Sequence, residues 1–301
     1  MAWTVEEIPD LTGTVVLVTG ANSGIGLEAS RVLADRGAHV ILGCRDPLKG
    51  EAAQDQVGGS TEVLQIDLSS LESVRTAAAS LADRPIDVLV NNAGIMAVPQ
   101  EVSVDGHELQ FATNVLGPFA LTGLLLGHVT DRVVWVSSLM HRGGKLDLAD
   151  PSSRHRRYNP WRAYSATKLA DLMLAYELAR RLTRAGSSVR SYAAHPGYAQ
   201  TGLQRHTAAL SWPVLHQVES LLRVAQTAEA GAWPILYAAT ATDLPSGTYV
   251  GPSGFGELAG PPRIVGSSPT SHDRDAQRTL WSLCEGLTGV SPELPGAAVT
   301  R

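Results

Sequence analysis

A doubly wound α/β fold, a parallel sheet covered by helices on both faces, follows from three features of the 301-residue sequence. Strand-like and helix-like stretches alternate over residues 14–194. The strand-like stretches are continuous apolar runs, as strands buried on both faces require. A glycine-rich turn separates the first such run from the first helix.

The elements follow in order. Thr14-Val-Val-Leu-Val18 is a short β-branched run and reads as a buried strand. Gly20–Gly26 is the turn. Leu27–Arg36 reads as a helix with Leu27, Ser30, Val32, Leu33 and Ala34 on its inner side and Gly37 closing it. His39–Gly43 is the second strand, Lys49–Val57 a helix, and Thr61–Ile66 the third strand. Leu71–Leu81 is helical and Ile86–Val90 is the fourth strand. Helix, strand, helix and strand follow at about 107–127, 132–137, 162–184 and 188–194.

No break in composition and no internal repeat divides the chain, so residues 1–301 are expected to form one domain. Two stretches are long for connections in a compact domain: a polar, basic one at about 139–162 and an insertion at about 201–223. With 44% hydrophobic and 18% charged residues, disorder is excluded. The net charge of −5 argues against a dedicated nucleic-acid binder. Two cysteines, Cys44 and Cys284, make no disulfide framework or zinc site, and His107, His128 and His195 share no metal-ligand spacing. No metal is expected. Met1–Leu11 carries Glu6, Glu7 and Asp10 and lacks the basic start and apolar stretch of a signal peptide. The apolar stretches near Ile86–Val98 and Ala120–Leu126 are too short to span a membrane. A reducing cytoplasm is the simplest compartment.

Gly20-Ala-Asn-Ser-Gly24-Ile-Gly26 follows a strand and opens a helix, the setting of a Rossmann-type dinucleotide site. Its glycines permit a tight turn and close approach of backbone to a pyrophosphate, which the helix N-terminus attracts. The turn residues Gly20, Asn22, Ser23, Gly24, Ile25 and Gly26 are assigned to the cofactor. An ordinary βα turn is the alternative for an isolated match. About 20 residues on, where an acidic residue would select NAD, the sequence has Cys44-Arg45. An arginine there can pair with a 2′-phosphate, so NADP is preferred over NAD; a solvated Arg45 paired with Asp46 is the alternative. Asp67 could accept from the adenine amino group or serve as a cap. Asn91-Asn-Ala-Gly94 ends the fourth strand, where small residues let backbone lie against a ligand or simply make a turn.

Tyr164 and Lys168 lie four apart on one helix face. A neighbouring ammonium lowers a phenol's pKa, so the tyrosine could exchange a proton with an alcohol or carbonyl oxygen. The pair alone is common by chance. Ser137-Ser138 at the end of the fifth strand and Asn114 within the preceding helix give it company.

The chain resembles the short-chain dehydrogenase/reductase family. The matching motifs are Thr19–Gly26, Asp67-Leu68, Asn91–Gly94, Asn114, Val136-Ser-Ser138, Tyr164-Ser-Ala-Thr-Lys168 and Pro196-Gly197 with Thr201, in family order over about residues 13–250. Cys44-Arg45-Asp46, His195-Pro-Gly197 and the wide Ser–Tyr spacing resemble the branch of retinol dehydrogenases, WW-domain oxidoreductases and protochlorophyllide reductases, which mostly prefers NADP. The resemblance implies roles. Tyr164 is the general acid/base. Lys168 lowers its pKa and holds the nicotinamide ribose. Ser138 bonds the substrate oxygen, and Asn114 holds a water in a proton relay behind Lys168. Gly20, Ser23 and Ile25 line the pyrophosphate, and Asp67 and Leu68 flank adenine. Asn91, Ala93 and Gly94 meet its ribose and neighbours, and Pro196, Gly197 and Thr201 the nicotinamide end.

Ser138 and Tyr164 are 26 residues apart, about twice the spacing of compact family members. The extra segment carries Arg154-His-Arg-Arg157, a solvated run or one wall of the pocket. Branch members often have a membrane-anchoring N-terminus; this chain reaches its first strand by Thr14, so no membrane anchor is expected. The apolar 201–223 segment could cover a medium-sized hydrophobic molecule, or be a packed helix or subunit contact. The helix faces at 107–127 and 162–184 could make a homodimer. The expected activity is NADP-dependent hydride transfer on a carbonyl/alcohol pair of a small-molecule substrate. Double-bond reduction, epimerisation and non-catalytic dinucleotide sensing are the alternatives.

Overall fold

A computed structural model describes residues 3–198 and 226–296. Its first half alternates as the sequence predicts: β1 (Val15–Thr19), α1 (Gly24–Asp35), β2 (His39–Cys44), α2 (Pro47–Val57), β3 (Thr61–Gln65), α3 (Leu71–Ala79) and β4 (Ile86–Asn91). α4 (Leu109–Phe111) passes through a π-helical stretch, Ala112–Leu116, into α5 (Gly117–Leu125). β5 (Val129–Val136), α6 (Pro160–Arg184) and β6 (Arg190–Ala194) follow. The end of the described chain adds α7 (Ala228–Thr240), β7 (Tyr249–Pro252), β8 (Pro262–Ile264) and α8 (Arg274–Thr288).

The eight strands form one sheet in the order β3-β2-β1-β4-β5-β6-β7-β8, parallel except for the antiparallel β7–β8 pair. Residues alternate across it. Leu17, Ile41, Leu89, Val133 and Ala193 face one core, shared with α3, α5, α6 and α8. Val16, Val18, Val40, Leu42, Val90 and Val134 face the other, shared with α1 and α7. Both faces are therefore dry, which explains why the strands read as unbroken apolar runs.

The helix expected at 107–127 is present but not uniform. A π stretch often marks a functional position, and this one holds Asn114. Leu109–His128 is the one span among the described residues long and apolar enough to cross a membrane; most of it is buried inside this fold, where its apolar side chains line the core.

The 139–162 connection is a fastened surface segment. The Tyr158 hydroxyl lies 3.0 Å from Glu108 Oε1 and accepts from Gln110 Nε2 at 2.7 Å. Arg154 donates to the Gly106 carbonyl at 2.6 Å, and Arg156 pairs with Asp147 at 3.3 Å. The basic run thus closes the segment on itself and keeps its exposed side toward solvent. The 201–223 segment lies outside the described residues.

α8 packs on the other side of α6 and α5. Trp281 meets Phe119 edge to face at 5.0 Å between centroids, and the Arg181 guanidinium lies 4.5 Å over the Trp281 ring. The chain's own helix therefore covers part of the two helix faces considered above as a dimer contact.

Candidate active site

The sheet order reverses at β1 and β4, which pair directly through Val18 and Val90. Crossovers on the two sides of that point leave on opposite faces, and a crevice opens beyond the carboxyl ends of the strands. The glycine turn sits there. Gly20 has φ +67°, and a Cβ on it would lie 2.9 Å from Ala93 Cα, so only glycine fits between the two turns. A Cβ on Gly26 would collide with the Gly20 carbonyl. Ser23 stands at the N-cap of α1 with no side-chain cap bond, which leaves the first N–H groups of that helix available to an anion. A backbone cradle that a Cβ would fill and an uncapped helix start fit a dinucleotide pyrophosphate.

Arg45 ends up exposed just beyond β2 and forms no ion pair among the described residues. Asp46, the partner considered for it, instead caps α2 by accepting from Leu48 N–H at 3.1 Å and lies 3.7 Å from Lys49 Nζ. The Cys44 thiol is buried, which pushes its pKa up to about 11 and keeps it protonated. Asp67 Oδ1 accepts from the Ser69 N–H and hydroxyl at 2.9 and 2.6 Å, while Ser70 caps α3. Asp67 therefore shapes the turn after β3 rather than capping the helix, with Leu68 buried beside it.

The Asn91–Gly94 turn divides its work. Asn91 Nδ2 donates to Thr122 Oγ1 at 2.8 Å, which engages this side chain in the sheet–helix interface. Asn92 binds the glycine turn instead: Nδ2 donates to the Thr19 carbonyl at 2.8 Å, and its N–H and that of Ala93 both donate to Thr19 Oγ1 at 3.0 Å. Sequence reasoning gave no role to Asn92. Gly94 is where the site converges: a Cβ there would lie 3.2 Å from Asn114 Oδ1 and 3.5 Å from Lys168 Nζ.

Asn114 lies buried between the loop after β4 and α6. Its Oδ1 accepts from Ile95 N–H at 2.8 Å, and its Nδ2 donates to the Ile95 carbonyl at 2.9 Å and to Thr167 Oγ1 at 3.0 Å. Both amide N–H groups are used and Oδ1 accepts one bond, so the side chain braces the loop after β4 against α6.

Ser137 and Ser138 separate their tasks. Ser137 Oγ donates to the Lys168 carbonyl at 2.7 Å and staples β5 to α6. Ser138 caps the 3₁₀ turn Leu139–Gly143, its Oγ accepting from Met140 N–H at 3.2 Å, and its hydroxyl acts on the Tyr164 phenol. Tyr164 is 5% exposed. Burial raises its pKa, opposed by the charge of Lys168 and by the Ser138 hydroxyl. Lys168 Nζ lies 5.9 Å from the Tyr164 ring centroid. It donates to the Val136 carbonyl at 2.8 Å and to Asp171 Oδ2 at 2.9 Å. Burial pulls the Lys168 pKa down, but Asp171 and Tyr164 outweigh it and hold the ammonium charged. The sequence reading passed over Asp171; a lone carboxylate within Leu169–Leu174, otherwise apolar, was the available signal.

Gly197 packs under the Leu258 carbonyl, and Pro196 accepts a hydrogen bond from Gln226 Nε2. Buried His195 bonds Glu257 at 3.2 Å, and Glu257 pairs with Arg142 at 2.8 Å, tying the ends of β5 and β6 to the 253–260 loop. Thr201 lies outside the described residues. No metal-ligating cluster occurs among the described residues. Ser138, Tyr164 and Lys168 thus meet at the sheet edge that carries the glycine cradle. Such a grouping can hold an oxygen and pass it a proton beside a bound dinucleotide.

The short chain dehydrogenase family model matches residues 14–210. Human retinol dehydrogenase 13 is 38% identical over 297 residues, covering 93% of this chain and 86% of its own. A crystal structure of an uncharacterised protein from Mycobacterium paratuberculosis superposes with a TM-score of 0.85 at 45% identity, covering 98% of this chain and 100% of that one. A Beutenbergia cavernae protein, described as an NAD(P) dependent gluconate 5-dehydrogenase with bound NADP, has a TM-score of 0.60 at 31% identity, covering 77% and 91%.

Proposed function

The chain belongs to the short chain dehydrogenase family, in its retinol dehydrogenase branch, and from that premise we propose that it is an NADP-dependent reductase of an apolar, medium-sized carbonyl compound. Oxidoreductase activity with a nicotinamide dinucleotide goes with the family; the choice of NADP, the substrate class and the residue roles are our reading.

The grouping of Ser138 and Tyr164 with Lys168, whose Nζ lies under Gly94, is the observation that carries it. When bound, the dinucleotide supplies the hydride. Ser138 holds the substrate oxygen and Tyr164 gives it a proton as hydride arrives at carbon. Lys168 stabilises the phenolate left behind and reaches the nicotinamide ribose. Asn114 fixes the Ile95 turn, and with it Gly94, which would lie against the nicotinamide end. Asn22, Gly24 and Ile25 line the pyrophosphate, and Leu68 flanks the adenine. Arg45, unpaired and exposed, favours the 2′-phosphate. Met140 and Trp161, each 38% exposed, stand two and three residues along the chain from Ser138 and Tyr164 and are our candidates for apolar substrate contacts. The relatives named for retinol support the same substrate class. Two free, buried cysteines suit a reducing cytoplasm.

The test is the loss of nicotinamide absorbance on mixing the protein with NADPH and carbonyl compounds graded by size and polarity. Turnover should rise with apolar size and be weaker with NADH. NADPH that binds but is consumed with no member of the panel would favour a sensor.

A further inference from the structure

Three residues of α6 form one stripe: Tyr164, Lys168 four positions on, and Asp171 three beyond that. Lys168 is therefore flanked by the phenol one turn toward the helix start and by a carboxylate one turn toward its end. Asp171 is only 3% exposed, and its Oδ2 accepts from Lys168 Nζ at 2.9 Å. Its Oδ1 is buried with no hydrogen-bond partner. A carboxylate so placed is expensive to keep charged, and the fold offers it one compensating group.

We propose that Asp171 is a positioning residue for Lys168: it holds the ammonium by its own charge and thereby limits how much of that charge the Tyr164 phenol feels. This rests on the reading of Tyr164 as the proton donor. The ammonium pulls the phenol toward ionisation, and the carboxylate opposes it from the same stripe. Burial lifts the Asp171 carboxyl to about 6, against the pull of Lys168, so it is ionised at neutral pH.

Among the described residues, Lys168 is the one charged group that acts on Asp171. From α8, Cys284 faces it as a thiol whose own pKa is raised by burial. From β5 the neighbouring groups are the Val136 carbonyl and Ser137, with Asp131 and Arg132 at the strand's far end. His141 in the 3₁₀ turn is engaged with the Ser138 carbonyl, and His195 at the end of β6 with Glu257. Glu108 before α4 and His272 before α8 bond elsewhere. Of these only the Cys284 thiol, which stays protonated, is coupled to the Asp171 carboxyl.

Seven residues of helix separate Asp171 from Tyr164, about 10 Å along the axis. At the effective dielectric of protein sites, removing one charge at that range shifts a titration by on the order of one pH unit. The experiment is ultraviolet titration of the phenol in the intact protein, wild type and Asp171→Asn, each against its own Tyr164→Phe background. Asparagine keeps an acceptor for Lys168 and removes the charge. The Tyr164 titration should move to lower pH by on the order of one unit, and the pH profile of NADPH oxidation should move with it. Asp171→Ser, which leaves room for a water beside the ammonium, should shift the same way. An unchanged or upward-shifted phenol titration in a folded variant overturns the proposal. Failure of both variants to fold also overturns it, by making Asp171 a group the fold requires. Because the phenol is titrated directly, this outcome is independent of the proposed reaction, whose failure would appear instead as hydride transfer surviving Tyr164→Phe.

Discussion

Asn114 and Ile95 are joined by two hydrogen bonds, one from each end of the asparagine amide to the isoleucine backbone, at 2.8 and 2.9 Å. The clamp joins the π-helical stretch to the turn that carries Gly94. Asn114→Ala would leave the Ile95 N–H and C=O without these partners. A buried polar group left unpaired costs about 1–3 kcal/mol. Urea unfolding should show a loss in that range, with a higher KM for the cofactor as Gly94 drifts. Unaltered stability and cofactor KM would mean that the clamp is idle.

Much of this was legible in advance. The alternation from Thr14 to Ala194 survives as β1 to β6, because strands buried on both faces leave unbroken apolar runs. Legibility ends after β6. α7 is apolar on most sides and contains Pro234, so it has no helical stripe to read, and β7 is four residues long. Within the site, residue types located Ser138, Tyr164 and Lys168 but not the direction of amide side chains. Asn91 turns to Thr122 and Asn92 to Thr19, although both stand in one motif. Strand alternation sends neighbours to opposite faces, and only the paired elements decide which face meets the cofactor.

Trp281 of α8 is almost fully buried against Phe119 and Arg181. Trp281→Ala removes an aromatic ring from the core on that face, a change that usually costs about 3–5 kcal/mol. The urea midpoint should fall accordingly. Light scattering on the same variant checks whether the α5 and α6 faces, once less well covered, begin to self-associate. A midpoint within experimental error of the wild type would show that α8 adds little to the core.

Arg45 governs cofactor choice if its freedom from ion pairing leaves it for a 2′-phosphate. Charge-assisted bonds to phosphate are worth about 1.5–3 kcal/mol, roughly a 10- to 100-fold change in affinity. Arg45→Asp should weaken NADPH binding by about that factor and spare NADH. Fluorescence titration with both cofactors reads it. Equal affinity of the native protein for the two would remove the basis of the claim.

His195 and Glu257 make the site's anchoring loop sensitive to acid. Burial lowers the His195 pKa, so the fold favours its neutral form. Below about pH 6.5 the unfolded chain takes up this proton first, and the stability due to the neutral histidine falls with falling pH. The bond from His195, with the Arg142 pairing, lowers the Glu257 pKa, and that contribution is lost at still lower pH, below the ordinary carboxylate value. Both slopes have the same sign. Between pH 7 and 5 His195 contributes a loss of stability that opposes the gain from the raised Asp171 carboxyl, so His195→Gln should make the melting temperature fall less, or rise more, than the wild type's over that range. A variant whose pH dependence parallels the wild-type curve throughout would show that His195 contributes nothing to it.

Tyr164 offers the sharpest test of the chemistry. It is buried, the Ser138 hydroxyl and the Lys168 charge both favour its ionised form, and Lys168 lies one helical turn away. Tyr164→Phe deletes the hydroxyl and keeps the ring in its place, so folding and NADPH affinity should survive. Proton transfer by a positioned side chain is worth roughly 10²–10⁴ in rate, and single-turnover hydride transfer should fall by at least that range. Lys168→Met acts differently. It removes the ammonium, leaves the buried Asp171 carboxylate without its partner and takes away the proposed contact to the nicotinamide ribose. It should therefore weaken cofactor binding as well as slow the chemistry, and it should destabilise the fold by about 3–5 kcal/mol, as broken buried ion pairs do. Asp171→Asn in the same background should recover part of that stability, because the uncompensated charge is then gone. Cofactor dissociation constants, stopped-flow hydride transfer and urea midpoints separate the three effects. Near-native hydride transfer by Tyr164→Phe at neutral pH would assign the proton to another donor and leave the Tyr164–Lys168–Asp171 stripe with a structural task alone.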